Sequence, residues 1–164
     1  SEFERLTAAV GAALAPEAIV LDFDGVLVDI DRRCALVEAS ELAALAALRP
    51  VALVTSCPRR LCESLLARYG FAMHVTHAVC AEDGPGKPDP WPVLRALREL
   101  GVARAWMLGD NPGDVQAARA AGVVSFAIAP RGIGAESHET RLREAGAARL
   151  VCGIAELVSL LGGR

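Results

Sequence analysis

The hydrophobic positions of this chain fall into short unbroken runs, and segments of helical period lie between the runs. Ile19, Val20 and Leu21 make the first run. Val51–Val54, His74–Cys80, Ala105–Leu108, Val123–Ala129 and Arg149–Cys152 follow in order. Apolar runs this short, punctuated by Gly, Pro and Asp, suit strands buried on both faces of a parallel sheet. The intervening segments repeat their leucines every three or four residues. Within 33–48, Leu42, Leu45 and Leu48 recur at helical spacing, with Cys34 and Val37 on a neighbouring stripe, and Pro50 ends the segment. Leu61, Leu65 and Leu66 follow Pro58 and stop at Gly70. Val93, Leu94, Leu97 and Leu100 share one face of 91–100, which Gly101 closes. Further helices are predicted over 115–121, 138–145 and through Ile154, Leu157, Val158 and Leu161. A short Ala-rich helix over about 4–15 precedes the first strand, and residues 26–31 read as a small flap.

Strands alternating with helices predict a three-layer, Rossmann-like α/β domain. Its central parallel sheet would hold five to six strands, with right-handed crossovers and helices on both faces. No repeat, low-complexity stretch or linker interrupts the 164 residues, so they read as one domain, 1–164.

Composition narrows the function classes. The net charge of -3 argues against a nucleic-acid-binding surface, which would be basic. No apolar run approaches the roughly 18 residues of a membrane helix, and residues 6–15 lack the basic flank of a secretory signal. The 5 cysteines are odd in number and form no C-x-x-C pair, which speaks against a disulfide framework or zinc site and for a reducing cytoplasm. Cys80 and Cys152 sit in strand-like runs and are expected in the core. Among 17 basic residues a single lysine, Lys87, survives in a Gly/Pro loop. A compact ammonium differs in use from a planar guanidinium, so that position invites a chemical reading.

The polar residues that end the strands supply the candidate chemistry. Asp22 and Asp24 follow the first strand and point the same way, with Gly25 letting the backbone turn sharply. Two carboxylates on one wall of a cleft call for a cation, and magnesium, which prefers oxygen ligands, fits. The second strand ends in Thr55-Ser56, a hydroxyl pair suited to phosphate oxygens. Lys87 follows the third strand, and the fourth delivers Asp110, Asn111 and Asp114. Taken singly, a strand-end threonine or an acid in a first helical turn has a bland explanation, the latter in the helix dipole. Four such signals in order do not.

The ordered set D-x-D-G, apolar strand-T, G-K-P and G-D-x-x-x-D, over residues 20–114, resembles the haloacid dehalogenase-like superfamily. The stretch GDNPGDVQAARAAG at 109–122 is similar to bacterial members, and LREAGA with GIAEL near the end resembles the phosphoglycolate-phosphatase-like branch. The resemblance implies a magnesium-dependent phosphomonoester hydrolase with Asp22 as nucleophile and Asp24 as general acid and base. It implies magnesium at Asp22, Asp110 and Asp114 together with Asp24, whose contribution is its backbone carbonyl. It also implies phosphate contacts from Thr55, Ser56, Lys87 and Asn111. Asp24 favours phosphoryl transfer over dehalogenation, because members that break carbon–halogen bonds lack an acid there. Val26 stands where many members carry Thr, a familiar variant.

One departure matters. Only 30 residues lie between Asp24 and Thr55, and 31 between Thr55 and Lys87, too few for the helical cap of related small-molecule phosphatases. The site is therefore expected to be open unless it is covered by another subunit of a homodimer or higher oligomer, by the N-terminal segment, or by a large phosphorylated partner. A phosphomutase would share the nucleophile and acid but needs water excluded. A signalling receiver would put its acids ahead of the phosphorylated strand and its lysine near the end, the reverse of this order. A non-catalytic binding or scaffold domain would be expected to lack one of these polar residues, and none is missing. Arg59 and Arg60 either grip a second anionic group or simply begin a solvated helix, two readings the sequence leaves equal. His74 and His77 are expected as strand residues, not metal ligands.

Overall fold

The structure, a computed structural model, describes residues 1–6 and 15–162. Residues 2–6 are helical, residues 7–14 of the helix expected over 4–15 lie outside the described residues, and Ala15 forms a bend.

Six parallel strands form the central sheet in the order β5-β4-β1-β6-β7-β8. These are β1 (Ala18–Leu21), β4 (Val51–Val54), β5 (His77–Val79), β6 (Ala105–Gly109), β7 (Val124–Ile128) and β8 (Arg149–Val151). All four residues of β1 and of β4 are buried, as expected of strands covered on both faces. From β1 the chain runs outward through β4 and β5, then crosses back to β6 on the other side of β1. Connections diverge there, and the crevice at the carboxyl ends of β1 and β6 is where such sheets bind ligands.

Each face of the sheet has its own core. Ile19, Leu21, Val51 and Leu53 pack on one side with Leu42 and Leu45 of α1 (Ala39–Leu48), Leu66 of α2 (Arg59–Arg68) and Leu157 of α6 (Ile154–Leu160). Val20, Ala52, Val54 and Met107 face the other way, against Val93 and Leu97 of α3 (Trp91–Leu100) and Ala117 of α4 (Pro112–Ala120). Leu142 of α5 (Ala135–Ala145) joins Val115 and Ala127 in a third cluster. Burying a leucine or valine in this way stabilises the fold by about 1.5–3 kcal/mol per side chain before entropy is counted.

Three local expectations are corrected. The helix expected from Arg33 begins only at Ala39, because Glu38 and Glu41 cap each other's backbone N–H groups reciprocally. Residues ahead of it form the return strand of a hairpin, β2 (Val28–Asp29) with β3 (Cys34–Ala35), and the Leu36 N–H donates to the Leu27 carbonyl at 2.8 Å. The expected flap is thus a two-stranded one. The strand expected from His74 starts at His77, since Ala72–His74 wind into a 3-10 turn. Cys80 is buried, but Cys152 is exposed because β8 ends one residue before it.

Candidate active site

The ends of β1, β4 and β6 and the loop after β5 converge on a cleft of about 370 Å³. Asp22, Asp24, Thr55, Ser56, Lys87, Asp110, Asn111 and Asp114, singled out above, all line it.

Asp22 extends the ladder past β1, its N–H donating to the Leu108 carbonyl at 2.9 Å. Its carboxylate is almost wholly buried, and Oδ1 accepts from the Phe23 N–H at 2.8 Å. The Lys87 ammonium lies 2.9 Å from the same oxygen and 2.6 Å from Asp114 Oδ1, and donates to the Val54 carbonyl at 3.0 Å. Lys87 therefore ties the first, second and fourth motifs together at the cleft floor. Asp24 is exposed at the mouth, where Oδ1 accepts from the Ile30 N–H at 3.0 Å. The hairpin thereby holds Asp24 in place.

Asp114 does two jobs. Its Oδ2 accepts from the N–H groups of Asp110 at 2.9 Å and Asn111 at 3.2 Å, and Asn111 Oδ1 caps the helix in return from the Asp114 N–H at 3.2 Å. Its Oδ1 is buried and answered by the Lys87 ammonium at 2.6 Å. Asn111 is exposed and its oxygen is committed to the cap, leaving only its amide group, 3.4 Å from Asp110 Oδ1, for other partners. Thr55 is buried and its Oγ1 accepts from the Cys57 N–H at 3.0 Å, which frees the hydroxyl hydrogen for an anion. Ser56 sits exposed at the rim.

The charges are strained by burial. Asp22 is pushed up to about 8, by desolvation first and then by Asp114 and Asp110, with Lys87 opposing. Asp110 is raised as well, by burial and then by Asp114. Burial pulls Lys87 down, but Asp22 and Asp114 outweigh it and hold the ammonium above its ordinary value. One carboxylate oxygen from each of Asp22, Asp110 and Asp114 lies within 4.8 Å of the others. A Cβ at Gly25 (φ +89) would collide with the Asp110 carboxylate, and one at Gly109 with that of Asp114. Crowded carboxylate oxygens, given room by these two glycines, fit a small divalent cation.

Other residues fall elsewhere. Arg59 does not reach the cleft: it pairs with Asp83, donates to the Ala78 carbonyl at 3.0 Å, and lines a separate groove on the β5 side. His138 of α5 went unnoticed in the sequence, yet its Nε2 lies 2.7 Å from the Asp110 carbonyl. A histidine in a polar helix gives no sign of a strand-end partner 28 residues away.

The haloacid dehalogenase-like hydrolase family model matches residues 36–122. An imidazoleglycerol-phosphate dehydratase of Phytophthora nicotianae is 32% identical over 131 residues, covering 72% of this chain and 29% of that protein. A plasmid-borne phosphoglycolate phosphatase of Cupriavidus necator is 40% identical over 88 residues, covering 49% of this chain and 38% of that protein. The chain spans about a third of the length of these curated relatives. A haloacid dehalogenase-superfamily hydrolase from Geobacter sulfurreducens superposes with a TM-score of 0.69 at 18% identity, over 89% of this chain and all of that one, a likeness of fold. Among the described residues no helix is long and apolar enough to cross a membrane.

Proposed function

Because this chain belongs to the haloacid dehalogenase-like hydrolase family, we propose that it hydrolyses phosphomonoesters with magnesium, through an aspartyl-phosphate on Asp22. The observation that carries the reading is Lys87, buried between Asp22 and Asp114 beneath an open cleft. Asp22, Asp110 and Asp114, with the Asp24 carbonyl, would hold the ion. Bound magnesium supplies the positive charge that offsets these acids and polarises a phosphoryl oxygen.

The chain's own residues divide the remaining work. Asp22 attacks phosphorus, forming the carboxyl–phosphate bond as the bond to the leaving oxygen breaks. Asp24, wet and hung from the hairpin, gives that oxygen its proton. The same carboxylate then takes a proton from the water that attacks phosphorus, freeing Asp22 and inorganic phosphate. Lys87 and the Thr55 hydroxyl stabilise the charge on the phosphoryl oxygens. Ser56 and the Asn111 amide group are placed to add weaker contacts at the rim.

A phosphomutase would return the phosphoryl group to substrate while water is kept away. The exposure of Asp24 favours hydrolysis. We take the chain as a single catalytic domain without a lid, since a hairpin and one helix fill the span from Asp24 to Thr55. A neighbouring copy in a homo-oligomer, or a large phosphorylated partner, then covers the cleft. The 5 cysteines are all free, in keeping with a reducing cytoplasm. Asp22→Asn in an assay with an aryl phosphate and magnesium tests the mechanism. Turnover should disappear while the protein stays folded, and persisting turnover would remove Asp22 as nucleophile.

A further inference from the structure

Beside the reaction cleft lies a second cavity of about 300 Å³, between the β2–β3 hairpin and α2. Val28, Ile30, Leu61, Leu65 and the ring of Tyr69 give it apolar walls. Ile30 also lines the reaction cleft, so the two spaces share a wall. Two exposed arginines line the cavity, Arg33 from the hairpin turn and Arg68 from the last turn of α2.

Neither arginine has a carboxylate partner among the described residues, whereas Arg59, Arg95 and Arg143 each do. Arg68 lies 5.9 Å from the centre of the Tyr69 ring, within cation–π range. The one acid on the wall, Asp29, is already engaged, by the Arg32 N–H at 2.9 Å and its guanidinium at 3.7 Å. Arg33 also has a left-handed backbone, φ 55, and is the single non-glycine residue with positive φ among those described. Its N–H closes the turn onto the Ile30 carbonyl at 3.2 Å. Glycine would take that conformation without strain, so an arginine there keeps a side chain at a backbone cost. Strain of this kind collects at functional sites.

We propose that this groove receives the leaving group of the substrate, an aryl or branched-alkyl body with a second anionic group at its far end. The inference rests on the phosphatase reading above and names the substrate class for the same site. The apolar walls suit the body, and an arginine fork from Arg33 or Arg68 suits a carboxylate or a second phosphate. Arg59 and Arg60 do not take this role, since neither borders the groove.

The test compares kcat/KM for phenyl phosphate, 4-(carboxymethyl)phenyl phosphate and 1,4-phenylene bisphosphate, using wild type, Arg33→Gly and Arg68→Gln with magnesium. Wild type should prefer the anion-bearing substrates, and the better of the two identifies the anion. Each variant should lower the anionic-to-neutral ratio by about ten- to a hundredfold, the worth of a charged hydrogen bond. Arg33→Gly should melt at or above the wild-type temperature, which separates lost recognition from lost fold. Hydrolysis of phenyl phosphate with no preference, or an unchanged ratio in both variants, would overturn the subsite and leave the phosphatase reading intact. An unchanged ratio in a Leu61→Arg variant that turns a dimer into a monomer would overturn it in favour of a second copy of the chain. No hydrolysis of any of the three would remove the phosphatase reading and this inference with it.

Discussion

Replacing Lys87 by methionine would leave the cleft floor without its cation. The ammonium is 7% exposed and sits 2.9 Å from Asp22 and 2.6 Å from Asp114. Removing one partner of a buried ion pair typically costs about 3–5 kcal/mol, because the remaining charge stays buried and uncompensated. In a chain of this length that corresponds to a fall in melting temperature of about 6–20 °C. The cost should grow with pH. Lys87 is the group that holds the Asp22 carboxyl down, so as pH rises through about 8 the folded variant keeps a proton that the folded wild type releases. Stability then falls more steeply as pH rises, by linkage. Thermal melts followed by circular dichroism, in EDTA at pH 6, pH 8 and pH 9, would measure this. Added magnesium should recover part of the loss. A shift of less than about 2 °C at pH 8 would refute the reasoning, because it would mean that the two carboxylates are solvated well enough to need no ammonium.

Lys87→Arg should lower kcat by at least about a hundredfold, since a planar fork cannot meet Asp22, Asp114 and the Val54 carbonyl as a compact ammonium does; retained turnover in a steady-state assay would argue otherwise. In wild type without metal, the Asp22 carboxyl titrates near 8 when folded against 3.8 when unfolded. Its contribution is complete below the lower value and is lost as pH rises toward the higher, at up to about 1.4 kcal/mol per pH unit. Asp22→Asn should therefore flatten the pH profile of stability and melt higher at pH 8 in EDTA, a difference that calorimetry would detect. Gly109→Ala forces a Cβ against Asp114 and should cost about 1–3 kcal/mol by overpacking. It should also weaken magnesium binding, read by titration calorimetry.

The sequence pattern reached the strand Val51–Val54 and the helix Trp91–Leu100 to the residue, because burial on both faces and the flanking Pro90 and Gly101 left little choice. The eight polar positions of the site were legible for a related reason: in a parallel sheet, strand-end residues share one rim. The hairpin was not. Cys34 and Val37 fit the stripe of the following helix, and only the pairing with Val28 and Asp29, a tertiary contact, draws Cys34 away from it. Between the two readings of Arg59 the local pattern could not choose, because its partner Asp83 lies across a loop whose path that pattern does not encode. Cys152 was misread by one residue of strand length, enough to move a side chain from core to water.

The double engagement of Asp114 bears on how this site can change over generations. One oxygen starts helix α4 and the other answers to Lys87, so a substitution at either residue alters what the other is worth. Effects among such neighbours do not add. Losing Lys87 in a chain that already carries Asp114→Asn should cost less than the two single losses together. Gly109 is bound into the same bargain, since any larger residue displaces Asp114. A lineage cannot exchange Lys87, Asp114 or Gly109 one residue at a time without first passing through a less stable intermediate. Routes away from that trio run through paired changes.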